Sequence, residues 1–422
     1  MKRYMKLFAL LLMLGFLAKA DDISEKRDRI HSVRKVVNSV GKIENKDVSI
    51  ADSFKHIFSD AKVSGQIRTM YAGYNQKKVG ADNTYSTAVG GILKYELAEL
   101  KGFNAGVAFY TSHDVSFASA NGVNQNNELS STTGNYTEMA EAYINYKYED
   151  LNIRVGRQTL DTPLADSDDI RVIQNSFNAY TLSYDYKGFD FIAGNIQSWQ
   201  GVDAGLDNPW QDVGSNGANF GGISYNDGLE LGVWYYNITS KLNAVYLEFG
   251  GNYNINNDIQ IHAMTQYLNE KELDASGFGA DIYGALFELI VKDIGFNIAY
   301  NRANKKVGLE SFSGMGGGTL YTSMDTMIIN DITKDREANA LVAGISYSFN
   351  DFGFLYAYGD FDGSADSLNV KEHIVEQDIG FEYNFNDKFL VSAIYVLSED
   401  KESSIKTSND WDRFQVMLNY NF

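Results

Sequence analysis

Residues able to do chemistry are sparse in this chain. Cysteine is absent, which removes thiol nucleophiles, zinc fingers and disulfide frameworks. The five histidines, His31, His56, His113, His262 and His373, lie far apart, and no G-x-S-x-G elbow accompanies them. Asp360-Phe-Asp362-Gly-Ser-Ala-Asp366 loosely resembles a calcium loop but lacks the closing Glu of an EF-hand, so a solvated loop is the better reading. Gly314-Met-Gly-Gly-Gly318 lacks the Lys and helix of a phosphate-binding loop and reads as a flexible connection. The densest cluster is acidic: Asp161, Asp166, Asp168 and Asp169 fall within nine positions, with Arg171 just beyond. Alone it is a soluble acidic turn, and any use it has depends on the elements that hold it. No cofactor or metal is expected.

Those elements are suggested by composition. The 422 residues are 44% hydrophobic and 14% aromatic, with 28 Tyr, 25 Phe, 38 Gly and only 2 Pro, and the mean hydropathy is −0.29. Such a mixture suits many strands with one apolar and one wet face. It is too rich in large apolar side chains for intrinsic disorder. The net charge of −19 disfavours nucleic acid, which calls for a concentrated basic surface.

The first twenty residues read as a secretory signal peptide. Lys2, Arg3 and Lys6 precede an apolar run from Leu7 to Leu17, and Ala18-Lys19-Ala20 is a small-residue cleavage site. The apolar core of about ten residues is too short to span a bilayer, which requires roughly 20. Cleavage after Ala20 would leave 32 basic and 55 acidic residues, a formal charge of −23. From Asp21 to about residue 61, Ile30, Val33, Val36, Val37 and Val40 recur at helical spacing, and Asp52 to Phe58 resembles a short amphipathic helix. This predicts a periplasmic extension, helical or partly disordered.

From residue 62 to 422 the period is two. Segments at 63–71, 84–97, 103–113, 136–148, 152–158, 177–186, 188–196, 218–226 and 228–237 alternate, as do 243–253, 258–268, 276–288, 293–303, 337–349, 351–360, 374–386, 388–398 and 411–421. This predicts an all-β fold of about 18 strands, each of the roughly ten residues that cross a bilayer when tilted by about 45°. Short turns at Glu149-Asp150-Leu151, Lys187-Gly188, Asn226-Asp227-Gly228, Asn350-Asp351 and Asn386-Asp387 carry residues that tolerate tight hairpins. Long polar links near 114–135, 159–176, 197–217, 304–336, 361–373 and 399–410 fall between them. Sorting of loops by parity is the layout of a transmembrane antiparallel β-barrel. In the last segment Phe414, Val416, Leu418, Tyr420 and Phe422 share one face, against Arg413, Gln415, Met417, Asn419 and Asn421. A sheet with an apolar outer face in lipid must close on itself, because no backbone donor can be left unpaired. Leu418, Tyr420 and the terminal Phe422 resemble the signal read by the barrel-assembly machinery.

Three features resemble a known family. Lys62-Val-Ser-Gly-Gln-Ile-Arg68 is similar to the opening strand of the OprD-like outer-membrane porins, and Arg154-Val-Gly-Arg157-Gln-Thr-Leu-Asp-Thr-Pro163-Leu to their fifth strand and third external loop. The strand count and terminal Phe agree, and the resemblance covers about Val63 to Phe422 in a shorter, divergent form. Asp166-Ser-Asp168-Asp169-Ile-Arg171-Val-Ile matches only loosely the stretch that the family folds inward. The resemblance implies a narrow, passive diffusion channel in the outer membrane of a Gram-negative bacterium. Its third external loop would form a constriction, here Asp161, Asp166, Asp168, Asp169 and Arg171. A second long loop would narrow the opening, and a ladder of basic residues would guide carboxylates. Strand alternation nominates Arg68, Lys147, Arg154 and Arg413 for that lumenal set, with Arg157 on the opposite parity. Acid facing base across a lumen orients zwitterions and filters ions by sign. Small hydrophilic solutes, amino acids or carboxylates, are the expected cargo, with cation preference or zwitterion selection. The implied partners are outer-membrane lipid, lipopolysaccharide, the assembly machinery and two further copies in a homotrimer.

Other readings fit less well. An outer-membrane hydrolase needs a nucleophile beside a positioned base, and energised transport through a plugged barrel needs more than the 40-odd residues before Val63. An adhesin or structural barrel accommodates the long loops equally and separates from a porin by passing no current.

Overall fold

The alternation of apolar and polar residues forces extended chain, and pairing of every strand with two neighbours closes it. The computed structural model describes residues 50–208 and 210–422, so the expected signal peptide and the helical spacing at Ile30 to Val40 lie outside the described residues. A ten-residue helix, α1 (Ile50–Ser59), precedes the strands. The barrel strands begin with β1 (Lys62–Gln76), β2 (Thr84–Glu96), β3 (Phe103–Asp114), β4 (Asn135–Tyr148), β5 (Leu151–Gln158) and β6 (Ser176–Tyr186). They continue with β7 (Phe189–Gln200), β8 (Ala218–Asp227), β9 (Leu229–Ile238), β10 (Leu242–Asn256), β11 (Ile259–Glu272) and β12 (Ala280–Val291). The last six are β13 (Ile294–Ala303), β14 (Ala338–Phe349), β15 (Phe352–Gly363), β16 (Glu372–Asn384), β17 (Phe389–Asp400) and β18 (Trp411–Asn421). Each expected segment overlaps one of these 18 strands.

Consecutive strands pair antiparallel, and β1 pairs with β18 from Gln66 opposite Asn421 to Gln76 opposite Trp411. At the seam Gly65 N–H donates to the Phe422 carbonyl (3.1 Å) and Phe422 N–H to the Gly65 carbonyl (3.0 Å). The ladder therefore has no free edge, the condition for a sheet in lipid. Tight turns at one end take positive φ at Glu149, Lys187, Lys292 and Asn350. The links at the other end are L1 (77–83), L2 (115–134), L3 (159–175), L4 (201–217) and L5 (239–241), then L6 (273–279), L7 (304–337), L8 (364–371) and L9 (401–410). They are not uniformly long, since L5 has three residues where alternation of short and long had suggested more.

The outer face is apolar, with Ile67, Val89, Leu93, Ile144, Leu182, Phe287, Ile298, Leu341 and Leu418 exposed. Aromatics band both ends of it. Tyr71 sits 6.5 Å from Tyr85 and 6.3 Å from Phe414 toward the loop end. Toward the turn end Phe352 lies 4.4 Å from Tyr383 and Phe189 4.7 Å from Tyr225. Two such girdles place amphipathic rings at the lipid–water boundaries. The buried apolar clusters lie inside, where loops meet wall: Leu160, Leu164, Met315 and Ile329 pack against Phe220, Tyr236 and Tyr246, and Leu129, Val172 and Ile173 against Met70 and Tyr110.

Candidate functional site: the loop-crossed lumen

L3 leaves β5 and turns across the barrel interior. A two-residue-per-arm hairpin pairs Asp161 with Asp166 and Thr162 with Ala165, and Pro163 with Leu164 forms its tip. Thr162 Oγ1 donates to the Ala165 carbonyl (2.9 Å), so the tip satisfies its own polar groups while Leu164 is buried. The Leu164 N–H donates to the Tyr236 hydroxyl of β9 (3.3 Å). On its other flank Asp169 accepts two bonds from Arg68 of β1, 2.6 Å to Nη1 and 2.8 Å to Nη2. Gln174 donates to the Tyr110 hydroxyl of β3 (2.7 Å). One loop thus touches β1, β3 and β9, which lie on separate stretches of wall. Only a segment inside the barrel can do that.

L7 and L2 meet it there. Met315 and Leu164 are joined by the Met315 N–H to Leu164 carbonyl bond (2.9 Å), and Asp166 N–H donates to the Met315 carbonyl (3.0 Å). Gly316, at φ +87°, lies so close that a Cβ would stand 2.3 Å from the Asp166 carbonyl oxygen and 2.5 Å from Asn175 Nδ2. Gly314 to Gly318 is therefore a close-packed strap over L3; the flexible loop expected from composition is replaced by backbone contact that only glycine permits. Farther along L7, the N–H groups of Asp325 and Thr326 donate to Asp378 Oδ2 (3.1 Å) and Glu376 Oε1 (2.8 Å) of β16.

Arg413 of β18 joins the two loops. It is wholly buried, with Nη1 2.5 Å from Asp325 Oδ2 of L7 and Nη2 2.9 Å from Glu128 Oε2 of L2. Arg171 of L3, also buried, approaches the same Glu128 oxygen (Nε, 3.9 Å). Burial would raise the Glu128 carboxyl, but the charges of Arg413 and Arg171 outweigh it and hold the group below the usual carboxylate range. Asp203 of L4 goes the other way: burial raises it, against a 2.7 Å bond from Asn175 Nδ2.

Charge is divided across the lumen. Bases stand on neighbouring wall strands: Arg413 (β18), Arg68 (β1), Lys94 (β2), Lys147 (β4) and Arg154 (β5). Several are matched at once by acid, Lys94 by Glu141 at 2.8 Å and Arg68 and Arg413 as above. Arg154 instead bonds Asn145 Oδ1 (3.1 Å) and lies 4.4 Å from the Tyr143 ring centre. Facing them are Glu230 (β9), Glu248 (β10), Glu270 (β11) and Glu288 (β12). His262 sits between Glu288 (2.7 Å) and Glu230 (3.4 Å), and Phe312 N–H of L7 donates to Glu270 Oε2 (2.9 Å).

Of the sequence-nominated residues, Asp169 and Arg171 meet the wall and L2 directly, Asp161 and Asp166 shape the L3 hairpin, and Asp168 (φ +38°) donates its N–H to Asp166 Oδ1 at 2.9 Å. Lys147 is half-buried beside the turn end. Arg157 pairs with Glu138 (3.1 Å), lies 4.5 Å from the Trp210 ring centre and bonds the Met139 carbonyl, apart from the Arg154 group. Leu418, Tyr420 and Phe422 are exposed on the outer face of β18. Sequence reasoning missed Lys94, Glu230, Glu248, Glu270, Glu288, Glu376 and Asp378, although the parity that nominated the bases applies equally to them. Glu128 and Asp325 carry no such signal, because their loops have no period.

Comparison with known proteins agrees with this geometry. A family model described as outer membrane porin, OprD family, matches residues 55–422. No curated protein matches the chain in sequence. Among solved structures it is similar to Pseudomonas aeruginosa OpdK with vanillate (TM-score 0.73, 16% identity, 86% of this chain and 99% of that one). It is also similar to Acinetobacter baumannii OccAB3 (0.72, 14%, 86% and 99%) and Pseudomonas aeruginosa OccK9 (0.73, 13%, 87% and 99%). At these identities the likeness speaks for the fold.

Proposed function

The chain belongs to the OprD family of outer-membrane porins, and from that premise we propose that it is a passive channel favouring cationic and zwitterionic solutes of amino-acid size. The observation that carries this reading is the matching of the lumenal bases. Arg68, Lys94 and Arg413 each meet a carboxylate within 2.9 Å, so little positive field is left to draw a free anion. Glu230, Glu248, Glu270 and Glu288 line the facing wall, where His262 sits between Glu288 and Glu230. An ammonium or guanidinium group passing L3 meets that wall, while a carboxylate end meets Arg154 and Lys147. A gradient is the only driving force required.

Proteoliposome swelling tests it. Lysine-like and zwitterionic amino acids should enter faster than glutamate-like anions of equal size; the reverse order would refute the selectivity. We also propose a signal peptide at 1–20, a periplasmic extension at 21–61 and a barrel at 62–422, with a homotrimer as the assembled form. N-terminal sequencing and cross-linking in intact membranes test these. For the assembly machinery, the terminal Phe422 is the proposed signal. Its deletion should lower outer-membrane levels, and unchanged levels would remove that role.

A further inference from the structure

We propose that the outer rim of the barrel carries a site for a first-row divalent transition metal, formed by Asp362, His373 and Glu402. One ligand atom from each lies within 4.8 Å of the other two. The three come from separate segments, β15, β16 and L9, and the fold brings them together. Asp362 stands directly opposite His373 in the β15–β16 register. The Lys401 N–H donates to the His373 carbonyl (2.7 Å), which carries the start of L9 alongside β16. The N–H groups of Glu402 and Ser403 both donate to Asp400 Oδ1 (3.0 and 3.3 Å), fixing the backbone beneath Glu402. A binding ion would have little backbone left to order, and preorganisation of this kind raises affinity.

The imidazole is oriented by a fourth residue. His373 Nε2 lies 3.1 Å from Asp360 Oδ1, and Asp360 is two residues from Asp362 on the same face of β15. A carboxylate held on one ring nitrogen sets the tautomer, so the other serves as the unprotonated donor, the arrangement typical of metal-bound histidine. Two ammonium groups of L9 are occupied elsewhere: Lys401 on Glu399, and Lys406 on Glu399 and Asp410. One nitrogen and two carboxylate donors suit zinc, nickel, cobalt or copper; calcium and magnesium prefer all-oxygen shells with more ligands. Asp362 and His373 have the parity opposite to lumenal Phe361 and Glu376, so the site faces away from the conduction path and is independent of the porin reading. Asp366, the last acid of the calcium-like stretch, is taken by Arg336 (3.3 Å).

The test is calorimetric titration of zinc into the folded, tag-free mature protein in detergent, with heat-modifiable migration confirming a folded barrel in every variant. Zinc should bind with about one site per chain that disappears in His373→Ala and weakens at least about tenfold in Asp362→Asn and in Glu402→Gln. Asp360→Asn, which removes only the orienting carboxylate, should retain the stoichiometry and weaken binding by about 10–100-fold. Calcium at equal concentration should not displace the zinc. Zinc retained by His373→Ala, absence of zinc binding to the parent, or displacement by calcium would each overturn the assignment.

Discussion

Replacing Arg413 by Gln should loosen the constriction while leaving the barrel standing. Arg413 is wholly buried and ties β18 to both Glu128 of L2 and Asp325 of L7. Its loss leaves Asp325 beside Glu376 and Asp378 with less compensating charge, and leaves Glu128 to the more distant Arg171 at 3.9 Å. Removing one partner of a buried ion pair costs about 3–5 kcal/mol, because the remaining charge is buried unpaired. At about 1.4 kcal/mol per factor of ten, that is roughly two to three and a half powers of ten in the balance between seated and released loops. The cost falls on the loops, since the β17–β18–β1 ladder runs through backbone pairs that the substitution does not touch. Single-channel recording in planar bilayers should show larger conductance, added current noise and stronger cation preference. Arg413→Lys retains the charge without the fork that reaches two acids, and should fall between. A glutamine variant with the parent's conductance and noise would refute the idea that Arg413 seats L2 and L7.

Three further outcomes follow from the same contacts. Neutralising Asp166, Asp168 and Asp169 to Asn frees Arg68 from its 2.6 Å partner and should move the reversal potential toward anions; an unchanged value would place L3 outside the conduction path. Gly316→Ala forces a Cβ toward the Asp166 carbonyl at positive φ and should part L7 from L3, read as higher conductance with normal heat-modifiability. Asp335 links L7 to L8: the Ser367 hydroxyl, then the Gly308 N–H (3.0 Å) and the Ser367 N–H (2.9 Å), donate to its carboxylate and bring it down to about 2. Its folded value lies below the unfolded one, so its contribution is present above about pH 4 and is lost as pH falls toward 2. Hydrogen-exchange protection at Gly308 and Ser367 should decline across that window, and at neutral pH in Asp335→Asn; protection unaffected by either would break the link.

The barrel was legible because its determinants are local. A period of two runs through most of each ladder, interrupted only locally where the register shifts, as at Ala108/Phe109, and Asn350 or the Lys187-Gly188 pair marks a hairpin within a few residues. Parity alone also placed Arg68 and Arg413 among the inward residues. Their specific pairings were not legible, although Asp169 itself was nominated, because Asp169, Asp325 and Glu128 come from aperiodic loops 101, 88 and 285 positions away. Contacts of that separation are decided by closure of the barrel, which no window of sequence records. The acidic wall is a different case: Glu230 between Leu229 and Leu231, and Glu288 between Phe287 and Leu289, follow the alternation that nominated the bases. The Gly314–Gly318 strap shows the limit of composition, since glycine permits both mobility and close approach, and only the partner, here L3, selects between them.

The proposed lumen is passive, narrowed by loops and biased toward cations. It is tested most directly by the single-channel reversal potential of the parent protein in a planar bilayer under a potassium chloride gradient. The expected result is a small, steady conductance with a reversal potential of the sign set by potassium passing more readily than chloride. A barrel that passes no current, or one whose reversal potential has the sign of chloride preference, would contradict it.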